Sequence, residues 1–189
     1  DCMLNVAVIG NGPIGTLHAE AVASAPTARL VALGDLELSK AEELGRRFNA
    51  PAYADHAVLL EQSKPDVVMV ATPDDEHVEI AMAALQRGCH VFCEKPLATS
   101  AAEARQLVET AQNYGVQLGV NYNRRFGFGY RNARQLIESE QLGDVQHLAM
   151  HVTDGPLPDE TVLCPEMMLT TLVTHHLDLA RWFGGEITD

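Results

Sequence analysis

The feature that most constrains this chain is a glycine turn. The apolar stretch Leu4-Asn5-Val6-Ala7-Val8-Ile9 runs into Gly10-Asn11-Gly12-Pro13-Ile14-Gly15, and a helical pattern from Thr16 to Ala23 follows. Strand, glycine turn and helix in that order open a dinucleotide-binding unit. Gly10 permits the tight turn, Gly12 lets a pyrophosphate approach the backbone, and Gly15 allows the helix to pack closely on the strand. The helix N-terminus offers N–H groups to the anion, and Pro13 fits a first turn that has no use for its missing donor. A second apolar run, Leu30-Val31-Ala32-Leu33-Gly34, ends in Asp35, 20 residues past Gly15. That is about the separation at which an acidic residue reaches the adenosine ribose 2′-hydroxyl. A carboxylate there accepts from the ribose hydroxyls and repels a 2′-phosphate, and no arginine lies among Leu36, Glu37, Leu38, Ser39 and Lys40 to neutralise one. NAD is therefore favoured over NADP, while Ser39 and Lys40 keep NADP open as the less favoured cofactor.

Downstream the chain alternates short apolar runs with helical patterns. Helix Ser39 to Phe48, a short strand near Ala52-Tyr53 and a helix near Ala57 to Gln62 lead to the buried strand Asp66 to Ala71. Helix Glu76 to Gln86 precedes the run Cys89-His90-Val91-Phe92. Helix Ala101 to Asn113, with Ser100 as N-cap and Gly115 as its stop, precedes strand Val116 to Val120. Repeated strand and helix with short links predict an α/β fold with a Rossmann-type, doubly wound parallel sheet over residues 1–121.

The tetrapeptide Cys93-Glu94-Lys95-Pro96 places a lysine where one of these strands ends. In an open parallel sheet, ligands bind outside the carboxyl ends of the strands, so Lys95 is a candidate to touch what the protein binds. Cys89, His90 and Cys93 do not form a metal site. Along a strand the two thiols stand about 13 Å apart at about 3.3 Å per residue, with His90 on the opposite face. The four cysteines, Cys2, Cys89, Cys93 and Cys164, lack paired zinc spacing and read as thiols of a reducing cytoplasm. A net charge of −13 excludes nucleic acid and anionic membrane as partners. No apolar run approaches the roughly 20 residues of a membrane helix, and no secretory signal precedes Leu4, so a cytoplasmic protein is expected.

After Asn121 the rhythm changes. Helix Arg131 to Ser139, strand Val145 to Val152, a proline-containing loop through Gly155-Pro156-Leu157-Pro158 and a long helix from about Glu166 to Phe183 make a second unit, residues 122–189. One strand with two helices cannot bury a sheet face, so this unit is expected to be incomplete.

Six motifs in order give a resemblance over nearly the whole chain. They are the glycine turn Gly10 to Gly15; Ala71-Thr72-Pro73 with His77; Cys93 to Pro96; Asn123-Arg124-Arg125-Phe126; Gly143-Asp144-Val145; and His175-His176-Leu177-Asp178. The sequence resembles the glucose–fructose oxidoreductase and inositol 2-dehydrogenase (Gfo/Idh/MocA) family. The resemblance implies a Rossmann domain followed by an α+β substrate domain, its open-faced sheet largely missing from this sequence, that forms the substrate site and much of an oligomer interface. It also implies an NAD(P)-dependent dehydrogenase acting on a hydroxyl of a sugar, polyol or cyclic hydroxy compound, in a possible homo-oligomer. Lys95 would handle the hydroxyl proton, since a lysine beside a cationic nicotinamide gives up its proton more readily than in water. Glu94 would contact the nicotinamide ribose or orient Lys95, and Pro96 would hold a cis bond. Thr72, Pro73 and His77 would line the far half of the cofactor, with a local hydrogen bond at the helix start as the equal alternative for His77.

Relatives carry an aspartate and a histidine one turn apart on the long helix. Aligning His175 with that histidine puts Thr171 at the aspartate position, a departure, because threonine hydrogen-bonds a hydroxyl but holds no negative charge. Thr171, His175 and Asp178 share a face by their spacing, and His176 turns away. By position Asn123, Arg124 and Asp154 face the substrate, Asp154 reading equally well as a turn cap. Besides the dehydrogenase, two readings stay open: a nicotinamide-assisted glycosidase or lyase, and a non-catalytic nicotinamide-sensing regulator.

Overall fold

The computed structural model describes residues 3–141, 143–151 and 173–186. Strands β1 (Leu4–Ile9), β2 (Ala28–Gly34), β3 (Ala52–Tyr53), β4 (Val67–Val70), β5 (His90–Cys93) and β6 (Leu118–Val120) form one sheet in the order β3-β2-β1-β4-β5-β6. All five pairings are parallel. The strands read as near-continuous apolar runs because both faces of a parallel sheet are covered. Successive side chains of β1 point opposite ways. Val6 and Val8 pack with Ala19 and Val22 of α1 (Pro13–Ser24) and with Ala41 and Leu44 of α2 (Leu38–Phe48). Ala7 and Ile9 pack on the other side with residues of α3 (His56–Ser63), α4 (His77–Leu85) and α5 (Ala101–Tyr114), among them Leu59, Ile80, Leu85 and Leu107. This is the doubly wound Rossmann arrangement, and its strand order reverses between β1 and β4.

Local chemistry sets the ends of the elements. Asp55 caps α3 by accepting from the N–H groups of Ala57 and Val58, and those bonds hold its carboxyl below its ordinary range. Ser100 caps α5 through the Glu103 N–H, and Gly115 ends that helix at φ +67°. Two boundaries differ from expectation. The helix expected from Glu76 begins as a 3₁₀ turn, Asp74–Glu76, in which the Glu76 N–H donates to the Pro73 carbonyl before α4 starts at His77. Strand β6 starts at Leu118 rather than Val116. The Val116 N–H is spent on Ala111 O at the end of α5, and the Gln117 N–H on Nδ1 of His90.

The chain divides into two compact units, residues 1–121 and 122–189. The described part of the second contains a 3₁₀ turn, Asn123–Phe126, and helices α6 (Phe128–Glu138) and α7 (Thr174–Gly184). Arg134 of α6 donates to the Trp182 carbonyl of α7, and Tyr130 packs on Phe183. Strand Val145 to Val152 is not observed: residues 145–151 carry no ladder among the described residues, and a strand without a paired neighbour has nowhere to spend its backbone groups. Val152, Asp154, the loop through Pro158 and the expected start of the long helix, Thr171 included, lie outside the described residues.

Candidate functional site

The turn after β1 is built for a ligand at the switch point. Gly10 has φ +90°, and a Cβ there would stand 2.4 Å from Ala71 O. Only glycine holds that conformation at that distance. A Cβ on Gly15 would stand 1.7 Å from Gly10 O, so α1 lies against the turn only because residue 15 has no side chain. Gly12 differs. Its φ is −69° and an added Cβ would meet nothing within 4 Å, so the protein itself makes no demand for glycine there. A glycine there leaves the backbone open to a group approaching from outside. No side chain caps α1, whose N-terminus faces the same space. Pro13 and Ile14 are exposed at its start.

A cleft of about 630 Å³ opens beside this turn, lined by Gly10 and Gly12, by Asp35 to Glu37 and Lys40 after β2, and by Thr72 and Pro73 after β4. Asp35 accepts from the N–H of Asn11 at 2.8 Å and from that of Glu37 at 2.9 Å, one bond to each oxygen. Its carboxylate thus locks the glycine turn to the end of β2 and keeps lone pairs toward the cleft. Lys40 pairs with Glu37 at 2.7 Å, and the Ser39 hydroxyl also donates to Glu37. Both groups that would answer a 2′-phosphate are therefore turned to a carboxylate. The Glu37 carboxyl is held low by the Lys40 hydrogen bond and charge, and Lys40 is raised in return. Sequence reasoning missed His56 and Glu79, which line the cleft from α3 and α4 with Nε2 and Oε1 3.8 Å apart. The side-chain amide of Asn11 and the hydroxyl of Thr72 are buried without a hydrogen-bond partner, both next to the turn and cleft. Buried polar atoms left in that state fit a site that completes itself with a ligand.

Lys95 lies at the same end of the sheet. Val70 pairs with Cys93, and the Glu94 N–H donates to Val70 O, so Lys95 stands level with Thr72 in the parallel register. The Lys95-Pro96 bond is cis. One oxygen of Glu94 receives both His18 Nε2 at 2.9 Å and Asn121 Nδ2 at 2.6 Å. Burial works against the charge, but His18, Asn121 and the Lys95 backbone together hold the Glu94 carboxyl below its ordinary value. Neither His18 nor Asn121 was singled out from the sequence. The signal for His18 was its place on the buried face of α1, three residues after Gly15 and four before Val22. Cys93 is fully buried and its thiol is pushed up to about 12, chiefly by burial and then by Glu94 and Asp74. His77 is also fully buried. Its Nδ1 stands 2.7 Å from Pro96 O and its Nε2 2.9 Å from Thr72 O, so both ring nitrogens face the backbone rather than the cleft. Of its two expected roles the structure supplies the local hydrogen bond.

In the second unit, His175 lies in the first turn of α7 with the ring of Tyr122 edge-on at 6.0 Å. The Tyr122 hydroxyl meets Thr174 Oγ1 at 3.1 Å. Arg124 donates to His176 Nε2 at 2.6 Å, and Arg125 grips Asp178 through two bonds of 2.7 and 2.5 Å. Asp178 is thereby spent on structure and does not stand in for a carboxylate at position 171. Asn123 is exposed. Among the described residues no group of three or more His, Cys, Asp and Glu is set to hold a metal ion, and no helix is long and apolar enough to cross a membrane.

Strand order, glycine turn and acidic β2 end define an α/β protein of the dinucleotide-binding class. The family description "Oxidoreductase family, NAD-binding Rossmann fold" matches residues 4–122, and "GFO/IDH/MocA C-terminal domain" matches residues 130–189. The chain belongs to the GFO/IDH/MocA family. It is 29% identical over 185 residues to a myo-inositol 2-dehydrogenase of Thermotoga maritima, covering 97% of this chain and 55% of that protein. It is 35% identical over 144 residues to a D-glucoside 3-dehydrogenase of Escherichia coli, covering 75% and 41%. Among solved structures it resembles GenD2 from gentamicin A biosynthesis, determined in complex with NAD, at a TM-score of 0.81 and 29% identity over 97% of this chain and 54% of that one. The chain spans about half the length of the curated relatives it matches.

Proposed function

We propose that this protein transfers a hydride between NAD and a hydroxyl-bearing carbon of a sugar, polyol or cyclic hydroxy compound, with Lys95 and His175 handling the proton. The observation that carries the reading is the position of Lys95. It follows a strand whose neighbour supplies Thr72 and Pro73 to the cleft, at the carboxyl edge where this fold presents its ligands. NAD, when bound, supplies the hydride acceptor. The chain supplies the rest. The Gly12 backbone and the α1 N-terminus receive the pyrophosphate, Asp35 accepts from the ribose hydroxyls, and Thr72 and Pro73 wall the cleft. Glu94, held by His18 and Asn121, anchors the backbone directly before Lys95. Lys95 takes the proton from the substrate hydroxyl, with His175 as the second proton-handling group and Asn123 and Arg124 as candidate substrate contacts. The cofactor is NAD rather than NADP because the Asp35 carboxylate repels a 2′-phosphate, while Lys40 and Ser39 face Glu37. Relatives named inositol 2-dehydrogenase and D-glucoside 3-dehydrogenase support the substrate class.

The test is turnover. With NAD and a panel of inositols, glucosides and other polyols, nicotinamide reduction is expected for at least one substrate. Lys95→Ala is expected to lower kcat by about 10²–10⁴-fold, the usual contribution of a positioned proton acceptor. Cofactor binding without net reduction of NAD on any substrate would end the dehydrogenase reading in favour of transient nicotinamide use or sensing.

A further inference from the structure

We propose that His77 is a positioning residue for Lys95: its buried ring, through a hydrogen on Nδ1, donates to the Pro96 carbonyl and holds the turn that carries the lysine against the start of α4. The inference rests on the proposed role of Lys95. His77 has no exposed surface and opens α4. Its Nδ1 faces the carbonyl of Pro96, the residue after Lys95, at 2.7 Å. Its Nε2 faces the carbonyl of Thr72, a residue of the cleft wall, at 2.9 Å. Carbonyl oxygens only accept, so each of these contacts is a bond only where the ring nitrogen carries a hydrogen. A neutral imidazole donates to one carbonyl and a doubly protonated one to both. No other side chain type offers two ring donors on opposite edges at this span.

The two sides of Lys95 are thus held by different parts of the fold. Glu94 is fastened to α1 and to the end of β6 through His18 and Asn121, and Pro96 is fastened to α4 through His77. A lysine on a flexible four-carbon stem is accurate only when its backbone is fixed on both sides, and a misplacement of about 1 Å at a reacting group costs on the order of 10²-fold in rate.

Asparagine and glutamine at position 77 separate the two bonds, since the Asn amide reaches about as far as Nδ1 and the Gln amide about as far as Nε2. His77→Asn keeps the tie to Pro96, and His77→Gln keeps only the tie to Thr72. The readout is the ¹³Cε signal of Lys95 in lysine-labelled protein, which has three lysines, Lys40, Lys64 and Lys95, with Lys95→Arg giving the assignment. Expected is a Lys95 signal that responds to NAD in the wild type and in His77→Asn. In His77→Gln it should shift toward the position of exposed Lys64 and lose its NAD response, while the Lys40 and Lys64 signals stay in place. In turnover, His77→Gln should lose about 10–10²-fold in kcat with KM for NAD little changed, and His77→Asn should lose several-fold less. Equal effects of the two substitutions on the Lys95 signal, or an unmoved signal in His77→Gln, would overturn the proposal. A wild-type protein that turns over no substrate would remove the hydride-transfer reading, yet the Lys95 signal would still decide whether His77 holds the turn.

Discussion

At the scale of single residues, Gly10 and Gly12 stand two positions apart in one turn and are expected to answer differently to the same substitution. Gly10→Ala forces a Cβ onto Ala71 O at φ +90°, a conformation that costs about 1–3 kcal/mol before the clash is counted. Gly12→Ala adds a methyl in open space at an ordinary φ, so its thermal midpoint should match the wild type. Its NAD affinity should fall by about tenfold or more, because the methyl enters the path of the ligand at an overpacking cost of about 1–3 kcal/mol. Differential scanning calorimetry with a parallel NAD titration checks both. If Gly12→Ala lost stability and kept its affinity, the assignment of that backbone to the pyrophosphate would be wrong. Cys93 supplies a second prediction. A thiol with no exposed surface, pushed up to about 12 by burial, carries almost no thiolate at pH 8. Peptide mapping after iodoacetamide treatment should find Cys93 unmodified in the folded protein and alkylated in denaturant. Labelling of the native protein at Cys93 would contradict its burial.

At the scale of elements, the strand-end turn after β5 is where α1, β5 and β6 meet through one carboxylate. The folded value of Glu94 lies below its ordinary value of 4.5, so near that pH the unfolded chain binds more protons than the folded one. The stabilisation is fully present above the ordinary value and is lost as pH falls through the lower, folded one. Acid unfolding of Glu94→Gln should therefore show a shallower dependence on pH below about 4.5 than the wild type. Identical acid limbs would mean that the His18 and Asn121 contacts contribute nothing to the charge. The elements themselves were legible where local signals agreed with burial. Ser100 and Gly115 mark both ends of α5, and the apolar run Leu4 to Ile9 marks β1. They were misread where tertiary partners decided. Val116 and Gln117 carry strand-forming character, but their N–H groups serve the end of α5 and His90. Residues 145–151 carry the apolar stretch Leu148 to Met150 and have no strand beside them among the described residues. No periodicity along one segment reports whether a partner exists.

At the scale of the whole molecule, the glycine turn, Asp35 and Lys95 were legible because each sits at a fixed offset from a strand end, and the strand order converts that offset into one edge of the sheet. His18, Asn121, His56 and Glu79 were not, because their relation to the site runs through contacts 23 to 76 residues away, such as His18 to Glu94, that leave no local pattern. His77 was visible as a motif residue, but its choice of backbone carbonyls over the cleft depends on where Pro96 ends up. The cleft at the β1–β4 switch point is proposed to be an NAD site read by Asp35. Isothermal titration of the protein with NAD and NADP, at matched ionic strength, tests this most directly. The expected result is one NAD site, with NADP weaker by about tenfold or more, as a 2′-phosphate placed against Asp35 and the Glu37-committed Lys40 requires. NADP binding as tight as or tighter than NAD, or no binding of either, would contradict it.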